Sequence, residues 1–408
     1  MTLDWISKDG KLILAARSVR TFSYGFLSVI LAIYLHMLGF NEIMIGVVLT
    51  ATLANGIIFN LLSGVFAERL GRRKFLMLNA AMMALSAGIF FATENFVALV
   101  AAALVGTINV TGSEVGSFLS IEQAVLPQTI SEEKKRTTIF AIYNMVGTFA
   151  MSAGVLLSGL PQYMSQDFGV DKIGSIKILF LAYAACAAAT LAIYLLLSPA
   201  VEARGRASGG NPAPQALSPH SRQILVKMSS LFAADSFAGG FVIQSIVSFW
   251  FYTKFGADLG TLSYMFTTAG ILTAVSYLLA SKVASRVGLV NTMVWTHIPS
   301  NIFLILVPFA PSFPFAMGLY LARMSISQMD VPTRQSYLMA VVKENERVPA
   351  AAITNTSRNV AQAVSPSIAG AILGQLLVAP FVIGGALKLA YDIGLFLSFR
   401  KIKPPEEL

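Results

Sequence analysis

The sequence predicts an all-α polytopic membrane protein: twelve transmembrane helices in two pseudo-symmetric six-helix bundles. Three observations predict it. Hydrophobic residues make up 56 % of the 408 and charged ones 12 %, with a mean hydropathy of +0.71; a soluble domain carries about twice that charge. The apolar residues fall in recurring stretches of roughly 20 or more, enough to cross about 30 Å of hydrocarbon as a helix. A charged loop, Gly64-Val65-Phe66-Ala67-Glu68-Arg69-Leu70-Gly71-Arg72-Arg73, recurs 217 residues on in worn form as Ser281-Lys282-Val283-Ala284-Ser285-Arg286-Val287-Gly288-Leu289-Val290, with Ala, Arg and Gly in register.

Twelve spans begin near residues 12, 43, 74, 95, 137, 174, 223, 258, 289, 313, 350 and 379. Lys and Arg set their orientation. With the first residues inside the cell, the inner segments hold 20 of them, and the outer loops hold only Lys172, Lys177 and Lys254. This positive-inside asymmetry puts both termini in the cytoplasm and the protein in the plasma membrane. The net charge of +9 therefore orients the chain and meets anionic lipid; no nucleic-acid partner is expected. Arg17 and Arg20 in the first span, without a small-residue cleavage site, make that span an expected anchor. Residues 199–222, rich in Pro, Gly and Ser, read as a cytoplasmic linker between bundles at 1–198 and 223–408. A second register supports the duplication: Gln123, Arg136, Asn144 and Gly159 meet Gln335, Arg347, Asn355 and Gly370 at offsets of 211 or 212.

With these motifs the chain resembles the major facilitator superfamily. Gly64-x-x-x-Glu68-Arg69-x-Gly71-Arg72-Arg73 is similar to that family's loop between helices 2 and 3, with Glu where Asp is commoner. Asp330-Val331-Pro332-Thr333-Arg334-Gln335 is similar to a stretch in some of its bacterial and archaeal permeases. The resemblance implies a secondary transporter working by alternating access. It also implies a cytoplasmic gate in which Glu68 sits near the N-terminus of helix 11, where exposed N–H groups favour an anion. Gly71 permits the tight turn and Gly64 a close helix approach; Arg72, Arg73 and Lys74 do no more than hold the loop inside. The family's drug/proton antiporters usually carry a Gly-Pro-x-x-Gly-Gly-like element in helix 5; Gly154-Val155-Leu156-Leu157-Ser158-Gly159 lacks its proline.

Ionisable residues at membrane depth are costly, so each needs a partner or a purpose. If the family layout holds, spans 1, 4, 7 and 10 line the cavity and carry most of them. They read either as a gate alone or as a gate in which one carboxylate also takes up a proton; for the second role Asp235 and Glu114 are the leading proton carriers, with Asp330 and Glu122 behind. Glu114 comes out about 28 Å along an unbroken span 4, and Arg323 about 15 Å along span 10, nearest the midplane. Arg323 is the foremost substrate contact, toward an anionic or carbonyl group, or else pairs with an acid of span 7 or bonds backbone carbonyls. Arg20, Tyr24, Asn109, Phe241, Gln244 and Gln328 are the other candidate walls, each of which packing alone would also explain. Arg17, Arg334 and Arg358 are expected in a gate of ion pairs across the two halves. Lys388 and Asp392, spaced i, i+4 on span 12, read as a self-neutralising pair. Gly239-Gly240 in span 7 is a candidate bend.

Other classes find little support. Cys186 is the single cysteine, and the three histidines show no metal-ligand spacing, so no metal, cofactor or thiol catalysis is expected; His36, His220 and His297 read as packing, interfacial or linker residues. No nucleotide-binding Gly-x-x-x-x-Gly-Lys-Ser/Thr loop is present. The reading is a monomeric, proton-coupled secondary transporter of a small organic solute, with antiport efflux ahead of uptake of an organic anion. A receptor on the same fold is the remaining alternative.

Overall fold

A computed structural model describes residues 5–112, 116–131, 136–202, 218–342 and 346–402. The first half contributes α1 (Lys8–Met37), α2 (Glu42–Leu70), α3 (Arg72–Ala92), α4 (Phe96–Val105), α5 (Ser117–Val125), α6 (Arg136–Leu157), α7 (Leu160–Asp167) and α8 (Lys172–Leu195). After the linker come α9 (Pro219–Gly240), α10 (Gln244–Phe255), α11 (Leu259–Val287), α12 (Leu289–Leu306), α13 (Phe313–Ile326), α14 (Asp330–Val341), α15 (Arg347–Leu373) and α16 (Ala379–Phe399). Nine helical segments among the described residues are long and apolar enough to cross a bilayer. With the split pairs α4/α5 and α13/α14 and the more polar α15, the order is consistent with the twelve spans expected.

Helix starts follow local chemistry. Ser7, Asn41, Asn95, Asp171 and Ser218 each cap a helix by accepting a backbone N–H three residues on, which satisfies one of the donors a helix N-terminus leaves over. Gly71 and Gly288, aligned by the loop repeat, take the same strained role: φ is +94° and +86° at the starts of α3 and α12. That backbone region favours glycine. The duplication is thus visible in the turns that the two loops make.

The chain forms two compact units, Met1–Gly209 with Gln244–Thr267, and Gly210–Ile243 with Thr268–Leu408. In the first, α1 packs closely on α6 because Gly25 and Gly154 lack side chains; a Cβ on either would strike the other helix's backbone. In the second, α9 meets α15 the same way, with Gly240 against Ser365, whose hydroxyl donates to the Phe237 carbonyl at 2.6 Å. Each unit has its own apolar core, built around Phe75, Leu76, Ile139 and Val125 in one and Met228, Val294, Leu338 and Leu395 in the other.

Candidate functional site

Among the described residues, the first unit buries an ion pair. Arg20 of α1 and Glu122 of α5 are fully buried and meet in a two-pronged contact, Nη1–Oε1 at 3.0 Å and Nη2–Oε2 at 2.7 Å. Tyr194 of α8 donates to Oε1 and Tyr143 of α6 to Oε2, both at 2.6 Å. The Arg17 guanidinium lies 3.7 Å over the Tyr143 ring, and that of Arg20 4.3 Å over Phe118. Both oxygens of Glu122 are saturated, the condition under which a buried pair is held rather than exchanged. Arg20 and Glu122, expected at a substrate wall and on a proton path, are here taken up by each other, and Arg17, expected in the gate, stacks on Tyr143.

Span 4 is not the unbroken helix that the depth estimate assumed. The helix stops at Val105, and the described residues Gly106–Gly112 and Gly116 are non-helical before α5 begins. Buried polar side chains of the neighbouring spans take up the loose ends: Asn55 donates to the Leu104 carbonyl at 2.7 Å and Ser86 to Ala102 at 2.9 Å. Asn109 folds back to accept the N–H groups of Thr111 and Gly112. Gly112 and Gly116 supply positive φ, +76° and +112°. Non-helical backbone at membrane depth is tolerated only where protein or a cavity satisfies it. Tyr24 and Asn109 line a cavity of about 20 Å³ here, with Asn55, Thr107 and Ser117 as further polar groups among apolar neighbours, room for about one water. Glu114 lies outside the described residues, and the 28 Å depth assigned to it no longer has a helix to rest on.

The start of α10 closes over this break. The Ser245 N–H donates to the Val110 carbonyl at 3.2 Å, its hydroxyl to the Ser28 carbonyl at 2.7 Å, and Gln244 Nε2 to the Ser28 hydroxyl at 3.0 Å. Gln244 is thus a packing contact against α1. A larger cavity of about 190 Å³ lies by the ends of α1 and α10, with Lys172 and Asp258 in its wall; it holds none of the candidate site residues.

At the loop signature, Gly64, Glu68 and Arg69 lie outside the described side chains. Gly71, Arg72 and Arg73 do more than hold the loop inside. The Arg72 and Arg73 N–H groups donate to the Glu202 carboxylate at 2.6 and 3.3 Å, an anion at a helix N-terminus. Arg73 in turn donates through Nε and Nη2 to the Tyr194 and Leu195 carbonyls at the end of α8. Loop and linker entrance are clasped from both sides.

The second unit gathers an unbalanced cluster around Asp235. Lys388 Nζ stands 2.6 Å from Asp235 Oδ1 and Arg334 Nη1 3.4 Å from Oδ2. Arg334 also lies 3.2 Å from Asp330, one turn back on α14. Arg358 Nε donates to Ser236 at 3.0 Å. Arg334 and Arg358, expected to bridge the halves, are therefore engaged inside their own half. The Lys388–Asp392 pair is not formed: Lys388 goes to α9, and Asp392 is held by His297 at 2.7 Å and Asn301 at 2.8 Å. Span 12 carries both groups on one face, but each finds a better partner on a neighbouring helix.

Spans 7 and 10 are also split, at Phe241–Ile243 and at Ser327–Met329. The expected bend at Gly239-Gly240 is where α9 ends. Phe241 packs edge-on against Phe237 at 5.4 Å, and Gln328 accepts from Tyr277 at 3.4 Å. Arg323, one turn before the second break, is buried to 8 % exposure. Its Nη1 donates to the Met324 sulfur at 3.2 Å, and Nε has no partner among the described residues. It does not pair with an acid of span 7.

Sequence reasoning missed Tyr143, Tyr194, Asn55 and Glu202, which follow no pattern along the chain. His297 and Asn301 did leave a trace, two polar residues four apart on an apolar helix.

The Major Facilitator Superfamily model matches residues 13–253 and 228–408. The chain belongs to that superfamily, which places it among transporters rather than enzymes. The chain is 28 % identical to the Saccharomyces cerevisiae membrane protein YJR124C over 423 aligned positions, covering 96 % of this chain and 94 % of that one. Its fold is similar to the crystal structure of peptide transporter POT (TM-score 0.76, 12 % identity, 98 % and 96 % of the two chains). It is also similar to that of a D-xylose–proton symporter (TM-score 0.71, 15 % identity, 98 % of both chains).

Proposed function

We propose that this chain is a proton-coupled secondary transporter of the plasma membrane, with both termini cytoplasmic, moving a small organic solute by alternating access of its two halves. One observation carries the coupling: Asp235, buried on a split span, is held by cations from two other helices, Lys388 of α16 and Arg334 of α14. A proton on Asp235 would release both cations at once, and Asp330 beside Arg334, with Arg323, Arg358, Tyr391 and the His297–Asp392 pair nearby, would take up the change. Intramembrane acids in such settings mark proton relays, and split helices mark the sites where solute and coupling ion meet. The yeast relative is described as a membrane protein, and one structural neighbour as a sugar–proton symporter.

The test is solid-supported-membrane current from the purified protein in liposomes, across a compound panel under an imposed pH gradient. A compound-dependent current, lost in Asp235→Asn while binding of that compound persists, supports the reading, and its sign gives the direction. Pre-loaded vesicles that show binding but no exchange of any compound would favour a receptor instead.

A further inference from the structure

We infer that the second half binds an organic anion, with Arg323 as its main contact and Arg358 as a second; this rests on the transporter reading above and names its substrate class. The argument starts from charge. Three buried cations, Arg323, Arg334 and Lys388, and the half-buried Arg358 lie around two buried carboxylates, Asp235 and Asp330. Asp392 is held apart by His297 and Asn301, and counting it as a full extra charge still leaves the cations in excess. Buried charge without a partner costs several kcal/mol per ion, so an excess of one sign persists where something of the other sign is to arrive.

The second observation is where the unspent hydrogen bonds lie. Asp235 is taken by Lys388 and Arg334, and Asp330 by Arg334. Arg323, more than nine-tenths buried, bonds no oxygen among the described residues and leaves Nε without a partner. Ser327, one turn on along the same face, has a buried hydroxyl that is likewise unpartnered, as does Thr273 on α11, the helix that meets span 10 through Tyr277 and Gln328. Among the described residues Arg358 bonds only the neutral Ser236 hydroxyl. A guanidinium fork with the free Ser327 hydroxyl one turn away is the kind of arrangement that recognises a carboxylate or phosphate oxygen pair. The solute therefore carries at least one carboxylate or phosphate group. A cationic solute is disfavoured outright by the same charge.

Thermal unfolding of the full chain in detergent tests this with succinate, benzoate and inorganic phosphate as probes, against chloride at equal ionic strength, glucose and choline. The inference expects saturable stabilisation by one or more of the organic anions. It expects affinity about tenfold or more weaker in Arg323→Gln, as for loss of a charge-assisted bond, and partly restored in Arg323→Lys. Arg358→Gln, whose partner is neutral, gives a second reading if Arg323→Gln fails to fold. Stabilisation by phosphate alone would overturn the organic class, and anion binding indifferent to both arginines would overturn the site. Counterflow of glucose or choline with no anion binding would overturn the inference while leaving the transporter standing. Anion binding at Arg323 without counterflow would uphold the site and sink the transporter reading instead.

Discussion

The two halves answer the same problem in opposite ways. Glu122 of span 4 stands in register with Arg334 of span 10, by the 212-residue offset that also aligns Gln123 with Gln335. In the first half an arginine on span 1 meets a glutamate on span 4; in the second an aspartate on span 7 meets an arginine on span 10, so the polarity is reversed. The first pair is completed by two tyrosine hydroxyls, which saturate the carboxylate without adding charge. The second is completed by Lys388, which adds another cation. A network whose carboxylate is saturated by one arginine and two hydroxyls rigidifies a bundle; one whose carboxylate is shared between two cations can change partners when a proton arrives. The first half is accordingly read as scaffold and the second as the working site.

The largest expected effect breaks the scaffold. Glu122→Ala leaves Arg20 buried without its carboxylate and should cost about 3–5 kcal/mol, read as a steep fall in the thermal unfolding midpoint in detergent. Lys388→Met should cost less in the same assay, because Arg334 still holds Asp235 and one excess charge is gone. An equal loss for both would erase the contrast between the halves. Gly112→Ala should come next, at about 1–3 kcal/mol for a strained φ, since that residue sits at +76° with the Gln244 side chain against it. The smallest effect is at the cytoplasmic clasp: Glu202→Gln removes the anion from the start of α3 and should cost about 0.3–1 kcal/mol. It should lessen with added salt, which a stability series in sodium chloride would reveal.

Much of the architecture could be read from the residues because it follows from local constraints. Hydrophobic length set the spans, and the glycines at 71 and 288 marked the two turns that the structure then showed with positive φ. The break in span 4 was hidden in plain view: Thr107-Ile108-Asn109-Val110-Thr111 between Gly106 and Gly112 is a run of poor helix formers. It is apolar enough to be counted as membrane helix, and the asparagine and serine that secure it come from spans 2 and 3. Partner choice was the other gap. Lys388 and Asp392 lie four apart, and along the chain each is the other's nearest opposite charge. Only the packing of α16 beside α9 and α12 offers Asp235 to one and His297 to the other. Arg323 was picked out from its depth alone, and what the structure adds is its unspent hydrogen-bonding capacity.

The measurement that tests the division of labour most directly is proton-driven solute accumulation in liposomes by Asp235→Asn and Glu122→Gln, side by side and normalised to folded protein. The account predicts that Asp235→Asn exchanges solute across the membrane but no longer accumulates it along the pH gradient. It predicts that Glu122→Gln, less stable, accumulates as the unaltered chain does. Accumulation intact in Asp235→Asn and lost in Glu122→Gln would place the coupling in the first half and contradict the account.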